Sequence, residues 1–215
     1  MKRITFLIGL VFAFLLNVNA QEPQFVSKQQ QQRNVIIEEL TGRDCGYCPD
    51  GHVIANDIVR EHPGRAWAVN IHSGGYSPTD YPNLNTTDGT IICNALGAGG
   101  FPSGLVNRST SKSVGRSEWS NWAAHQFITN ATCNIAGQAV VNPETREATI
   151  VVEVYYTGSS EASQNYLTIM MLQDNILGYQ SGDYLNPEQI VDGQYNHMHI
   201  LRDVITSTWG DAISP

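Results

Sequence analysis

Cys45 and Cys48 are separated by two residues in the stretch Thr41-Gly42-Arg43-Asp44-Cys45-Gly46-Tyr47-Cys48-Pro49. Two thiols at this spacing can exchange electrons with a disulfide by closing a bond between themselves, or they can supply half of a zinc site. A closed zinc site needs four ligands, and neither Cys93 nor Cys133 has a second cysteine or a histidine pair at matching spacing. No metal and no cofactor are therefore expected. The expected chemistry is thiol-disulfide exchange, with Cys45 as nucleophile and Cys48 as its resolving partner.

The elements around the pair must position it. Residues 35–40 form a β-branched run that reads as a strand, and residues 51–61 read as a helix, with Val53, Ile54, Ile58 and Val59 at helical spacing before the stop at His62-Pro63-Gly64. Cys45 is thus expected at a helix N-terminus, where free backbone N–H groups and the helix dipole lower a thiol pKa from roughly 8.5. Residues 65–72 read as a second buried strand, parallel to the first because a helix intervenes. Residues 76–89 are rich in Pro, Asn, Asp and Thr and read as a loop. A short helix is expected over 90–96, then Phe101-Pro102-Ser103 leading into a strand at 104–108. Residues 109–115 read as polar loop. The last helix of this half opens at Ser117-Glu118-Trp119, with Trp119, Trp122, Ala123, Phe127 and Ile128 on its apolar side.

From about residue 132 the apolar period changes from 3.6 to 2. A hairpin is expected from strands 134–141 and 148–156, with further strands at 166–172 and 198–205. Residues 131–215 are therefore expected to form an all-β, sandwich-like domain. A sandwich usually has about seven strands, so this one is expected to be incomplete. On a strand, His197 and His199 would share a face, either as a polar cross-strand pair or as two metal ligands without a visible third. His72 closes its strand near the motif loop and reads as a loop histidine. Cys93 and Cys133 are open to two readings, a bridge between the halves or two small buried thiols.

At the other end, Lys2-Arg3, an apolar run over 4–16 and Val18-Asn19-Ala20 read as a signal peptide over 1–20. Residues 21–33, with four glutamines at 29–32, carry no periodicity and read as a flexible leader. The formal charge of −8 becomes about −10 once Lys2 and Arg3 are removed, which argues against nucleic acid as a partner. Export makes disulfide chemistry available to the cysteines.

Strand, Cys-x-x-Cys at a helix start, helix, strand, helix and then Gly100-Phe101-Pro102 before another strand resembles the thioredoxin fold over residues 34–130. The resemblance implies that Pro102 follows a cis bond facing the cysteines. It also implies that Phe101 pairs with an extended substrate peptide and that Glu39, six residues before Cys45, accepts the proton of Cys48. Tyr47 is the other substrate-binding candidate. Glu39 has a neighbour of the same charge, Glu38, and strand alternation requires one of the two to point away from the motif helix. The chain departs from the thioredoxin pattern at Asp44, where thioredoxins have tryptophan. Its charge should oppose a thiolate, with Arg43 as compensation. The Gly46-Tyr47 dipeptide is similar to that of periplasmic disulfide isomerases, which by itself assigns no direction of electron flow.

Glu39-Leu40-Thr41-Gly42, the Cys-Gly-Tyr-Cys-Pro run, Gly100-Phe101-Pro102 and residues 195–199 together resemble the twenty-eight-kilodalton outer membrane protein family of Bacteroides-type bacteria. That likeness implies an exported protein of the periplasm, outer membrane or cell surface. Two functions follow. One is a thiol-disulfide oxidoreductase or isomerase acting on exported protein thiols and disulfides with a redox partner. The alternative is a non-catalytic surface adhesion or binding protein on a thioredoxin scaffold, its Cys45–Cys48 pair locked. Fold alone does not separate them.

Overall fold

The computed structural model describes residues 25–97, 99–160 and 162–213. The expected signal peptide lies outside the described residues. The first half runs β1 (Val35–Thr41), α1 (Cys48–Glu61), β2 (Ala66–His72), α2 (Thr87–Leu96), β3 (Ser103–Val106), β4 (Val114–Gly115) and α3 (Trp119–Phe127). β1 and β2 are parallel, as a strand-helix-strand unit requires, while β3 lies antiparallel on the other side of β1 and β4 antiparallel to β3. β1 is therefore central, and all but one of its residues are buried.

Strand alternation gives the sheet two apolar faces. On one, Val35 and Ile37 of β1 and Ala66 and Ala68 of β2 pack with Ala55 and Ile58 of α1 and with Trp119, Ala123 and Phe127 of α3. On the other, Leu40, Val69 and Ile71 pack with Ile92 of α2 and with Leu201 and Val204. The same alternation separates the two carboxylates. Glu38 turns to the second face and takes a bidentate pair from Arg108, at 2.7 and 2.6 Å. Glu39 turns beneath α1.

α1 begins at Cys48, three residues earlier than the apolar spacing indicates. Pro49 fits its first turn because the N–H that proline lacks would be unpaired there anyway. α2 also starts early, at Thr87, because Thr86 caps it by accepting from the Gly89 N–H at 2.9 Å.

The second half runs β5 (Cys133–Val141), β6 (Ala148–Tyr156), β7 (Asn165–Leu167), β8 (Met170–Gln173), β9 (Ile176–Gly178), β10 (Ile190–Val191), β11 (Gln194–His197), β12 (Ile200–Val204) and β13 (Asp211–Ile213). The β5–β6 hairpin forms over the expected residues and pairs with no other strand among those described. The remaining strands are not arranged as the expected sandwich. β12 lies beside β2 and β8 beside β12, which extends the first sheet to the order β4-β3-β1-β2-β12-β8. The physical reason is that β2 offers a free edge beside the second core, where Leu201 and Val204 bury alongside Ile71 and Ile92. The single strand expected over 166–172 is split into β7, which pairs with β13, and β8. β10, β11 and β9 form a separate three-stranded sheet.

Two further expectations are corrected. The described part of the leader is fixed rather than free: Glu153 accepts from the Phe25 and Val26 N–H groups at 2.7 and 2.8 Å, and Asn134 donates to the Ser27 and Gln29 carbonyls. His197 and His199 do not share a strand face. β11 ends at His197, and His199 has a φ of 56° with its ring 3.2 Å from Asp174.

Candidate functional site

The motif loop joins the C-terminal end of β1 to α1. Cys45 lies before the helix and Cys48 is its first residue. Cys45, Cys48, Cys93 and Cys133 are all free thiols, so the first pair is reduced and the second pair is not bridged. Cys48 donates to the Cys45 sulfur, and this hydrogen bond is the largest influence bringing the Cys45 thiol down from 9.0 to about 7. Burial opposes it. The Tyr47 and Cys48 backbone N–H groups and the positive charge of Arg116 help. The same hydrogen bond between the two thiols and burial push Cys48 far up, with Glu39 adding to the rise and a hydrogen bond from Thr41 working against it.

Arg116, not Arg43, is therefore the cation that favours the Cys45 thiolate. It pairs with Asp50 and stacks 5.9 Å from the exposed Tyr47 ring. Arg43 is buried and pairs with Asp80, and the exposed Asp44 points into solvent.

Glu39 is fully buried beneath the motif helix, and among the described residues neither carboxyl oxygen has a hydrogen-bond partner. Burial, then the Cys45 charge, holds its carboxyl well above the usual range. Gly51, one turn after Cys48, makes this placement possible. A Cβ there would come 2.6 Å from Glu39 Oε1 and 2.9 Å from Pro102 Cβ. Glu39 and Pro102 thus meet under the same helical turn, and the Phe101–Pro102 bond is cis. Phe101 is half-buried, its ring 5.8 Å from that of Tyr76.

Cys45 is only 4 % exposed. The cover comes from the segment after β9. Gln180 donates to the carbonyls of Gly42 and Cys45, each at 3.2 Å, and the Ser181 N–H donates to the Arg43 carbonyl at 2.7 Å. Gly182, at φ 70°, lies so close to the loop that a Cβ would sit 2.0 Å from the Gly46 carbonyl oxygen. Only glycine fits this approach. Gly182→Ala is expected to lift the segment. The strained left-handed conformation alone costs about 1–3 kcal/mol, which corresponds to about 5- to 150-fold faster alkylation of Cys45, with Cys93 unchanged as internal control. Equal Cys45 labelling in both chains would show that the segment is not what covers the thiol.

Three buried histidines surround this arrangement. His52, one helical turn beyond Cys48, sits 3.0 Å from Thr41 Oγ1 and 3.6 Å from Glu39 Oε1, and its other nitrogen lies 2.6 Å from the Tyr195 hydroxyl. His72, read from sequence as a loop residue, is buried at the end of β2, where the Asn70 backbone offers its ring only a weak hydrogen bond. Its ring lies 5.7 Å from that of His197. Sequence reasoning missed His52, Tyr195 and Gln180. The spacing of four from Cys48 to His52, which puts both on one helix face, was the available signal for the first. The other two carry no local signal.

The family described as outer membrane protein Omp28 matches residues 91–215. Among solved structures, the chain is similar to HBP35 of Porphyromonas gingivalis, at 21 % identity and a TM-score of 0.61, with 86 % of this chain and 60 % of that one covered. It is also similar to a structural-genomics target protein from Agrobacterium tumefaciens, at 12 % identity and a TM-score of 0.51, covering 82 % and 73 %. Likeness at these identities shows the fold alone. The chain spans less than two thirds of the HBP35 chain it matches. No curated protein matches the sequence.

Proposed function

The chain belongs to the Omp28 outer membrane protein family and is exported to the outer membrane or cell surface, and from that premise we propose that it is a thiol-disulfide oxidoreductase acting there on exported protein disulfides. The observation that carries the proposal is the placement of the two thiols: Cys45 lies before α1, Cys48 is its first residue, and Cys48 donates to the Cys45 sulfur. That hydrogen bond lowers Cys45 and raises Cys48, which favours the first as nucleophile and the second as resolving thiol.

The thioredoxin-like reading of residues 34–130 belongs to the same proposal. It is supported by the parallel β1–α1–β2 unit, the antiparallel β3 and β4, and the cis bond before Pro102. In this reading Cys45 attacks, Cys48 resolves and Glu39 accepts the Cys48 proton. Pro102 and Phe101, with the exposed Tyr47, line the approach of an extended peptide. A redox partner recycles the pair.

One observation favours the second reading, a non-catalytic surface binding protein with a locked cysteine pair: Cys45 lies under the Gln180–Gly182 segment. The two readings differ in reduction potential. Structural disulfides of exported proteins have potentials below about −300 mV. A catalytic couple is expected well above that when the chain is equilibrated in graded thiol-disulfide buffers and the Cys45–Cys48 bond is mapped. A value at or below that mark assigns the locked pair instead.

A further inference from the structure

We propose that His52 and Tyr195 are positioning residues for the resolving step, the middle links of a hydrogen-bond chain that starts at Asn186 and ends on the sulfur of Cys48. The inference rests on reading Cys45 and Cys48 as an exchange couple.

Hydrogen-bond direction follows from the one group that has no choice. The Asn186 side-chain nitrogen only donates, and it donates to the Tyr195 hydroxyl at 3.0 Å. The phenol proton then has one partner, His52 Nδ1 at 2.6 Å. An Nδ1–H on His52 would face an oxygen already accepting from Asn186 and leave the buried phenol proton unpaired, which is costly. His52 therefore carries its proton on Nε2 and donates to Thr41 Oγ1 at 3.0 Å. The Thr41 hydroxyl is left free to donate to Cys48, where its hydrogen bond favours the thiolate.

Burial supports the assignment. It keeps His52 neutral down to about 3 and holds the Tyr195 phenol protonated far above neutral pH. Each link stays in the state that donates to the next. The chain also crosses the fold, since His52 and Thr41 belong to the motif unit whereas Tyr195 and Asn186 come from the Omp28-matched residues.

The step served is the second half of exchange. Cys45 thiolate attacks a substrate disulfide, bonds to one sulfur and releases the other as a thiolate. Cys48 then loses its proton to the Glu39 carboxylate, and its sulfur attacks Cys45 Sγ. The Cys45–substrate bond breaks, and its electron pair leaves on the second substrate sulfur. The substrate disulfide is reduced by two electrons and the cysteine pair is oxidised by two. A hydrogen bond from Thr41 to Cys48 stabilises the thiolate that forms in between.

Several titratable groups border this path. Cys45 and Glu39 face Cys48, and Arg116 acts on both of them. Glu39 Oε1 lies 3.6 Å from His52 Nε2, the charges of His197 and His199 act on His52, and those of Glu39, Cys48 and Asp183 act on Tyr195. None of them replaces the phenol as donor to His52 Nδ1.

The test uses the full chain carrying Cys93→Ser and Cys133→Ser, reacted with the coloured aromatic disulfide dithiobis(nitrobenzoate). Attack by Cys45 releases one coloured thiolate and resolution by Cys48 releases a second, so the two steps are timed in one trace. Tyr195→Phe removes a single oxygen. It is expected to leave the first release within about twofold and to slow the second about tenfold, the scale of one hydrogen bond to a charged group. The pH profile of the second release moves upward. His52→Gln, which keeps a donor and an acceptor, is expected to resolve faster than His52→Leu. A second release unchanged in Tyr195→Phe overturns the inference, and so does equal slowing of both releases, which marks a purely structural role. If the first release is the same in Cys45→Ser as in the parent, the exchange reading itself falls and this inference with it.

Discussion

Cys45→Ser is expected to bring the reduction of a protein disulfide below about 1 % of the unsubstituted chain, because a serine hydroxyl is not ionised at neutral pH and is a far weaker nucleophile than a thiolate. Cys48→Ser should behave differently. It keeps a donor to the Cys45 sulfur, so the first attack proceeds, but nothing resolves the product. A mixed disulfide between Cys45 and the substrate accumulates, visible by mass under non-reducing conditions. Cys48→Ala goes one step further. The largest influence lowering Cys45 is the hydrogen bond from Cys48, and alanine removes it. The attack rate of the unsubstituted chain should rise with pH and level off above about 7. In Cys48→Ala the rise should move upward toward the range of an ordinary thiol. Identical turnover in the parent chain and in Cys45→Ser would exclude the oxidoreductase reading, whatever the other variants do.

The central part of this site is legible in the sequence because its signals are local. A β-branched run, a breaker and a helical spacing lie within a few tens of residues and set β1, α1 and β2 around Cys45 and Cys48. Glu39 follows from its offset within one strand. What surrounds that centre is not local. Gln180 reaches the Cys45 carbonyl across 135 residues and Tyr195 reaches His52 across 143. Period-two patterning marks residues 170–173 and 200–204 as strands but says nothing of which edge they join. They join the first sheet because β2 has an open edge beside a core that their side chains complete. The leader is misread for a related reason. Its contacts to Glu153 and Asn134 run mainly through its backbone, and composition carries no record of backbone hydrogen bonds to distant side chains. The charge compensation of Cys45 likewise passes from the neighbour in sequence, Arg43, to the neighbour in space, Arg116.

The fold is expected to lose stability steeply below pH 6.5, and the buried histidines are the cause. Burial, the first cause in each case, lowers His52 from 6.5 to about 3 and His197 to about 4, and holds His72 well below the ordinary value. The Arg43 charge pushes both His72 and His197 further the same way. In the unfolded chain all three titrate near 6.5. Between that pH and their folded values the unfolded chain binds more protons than the folded one, so stability falls as pH falls through this window. Each histidine contributes a slope of up to about 1.4 kcal/mol per pH unit. Glu39 has the opposite sign. Its folded pKa is raised above 4.5, so the folded chain binds the extra proton, and stability from this group is lost as pH rises through that range. Three histidines outweigh one carboxyl between 6.5 and 4.5, and below 4.5 Glu39 adds no further slope. Against a total stability of about 5–15 kcal/mol, the chain should unfold cooperatively near pH 4–5. The measurement is the urea midpoint at pH 7.5, 6.0 and 5.0. His72→Leu removes an imidazole to which the Asn70 backbone offers only a weak hydrogen bond, and it should flatten the acid limb without lowering the midpoint at pH 7.5. A midpoint that stays level from pH 7.5 to 5.0 would mean that these three rings are hydrated and carry no linkage.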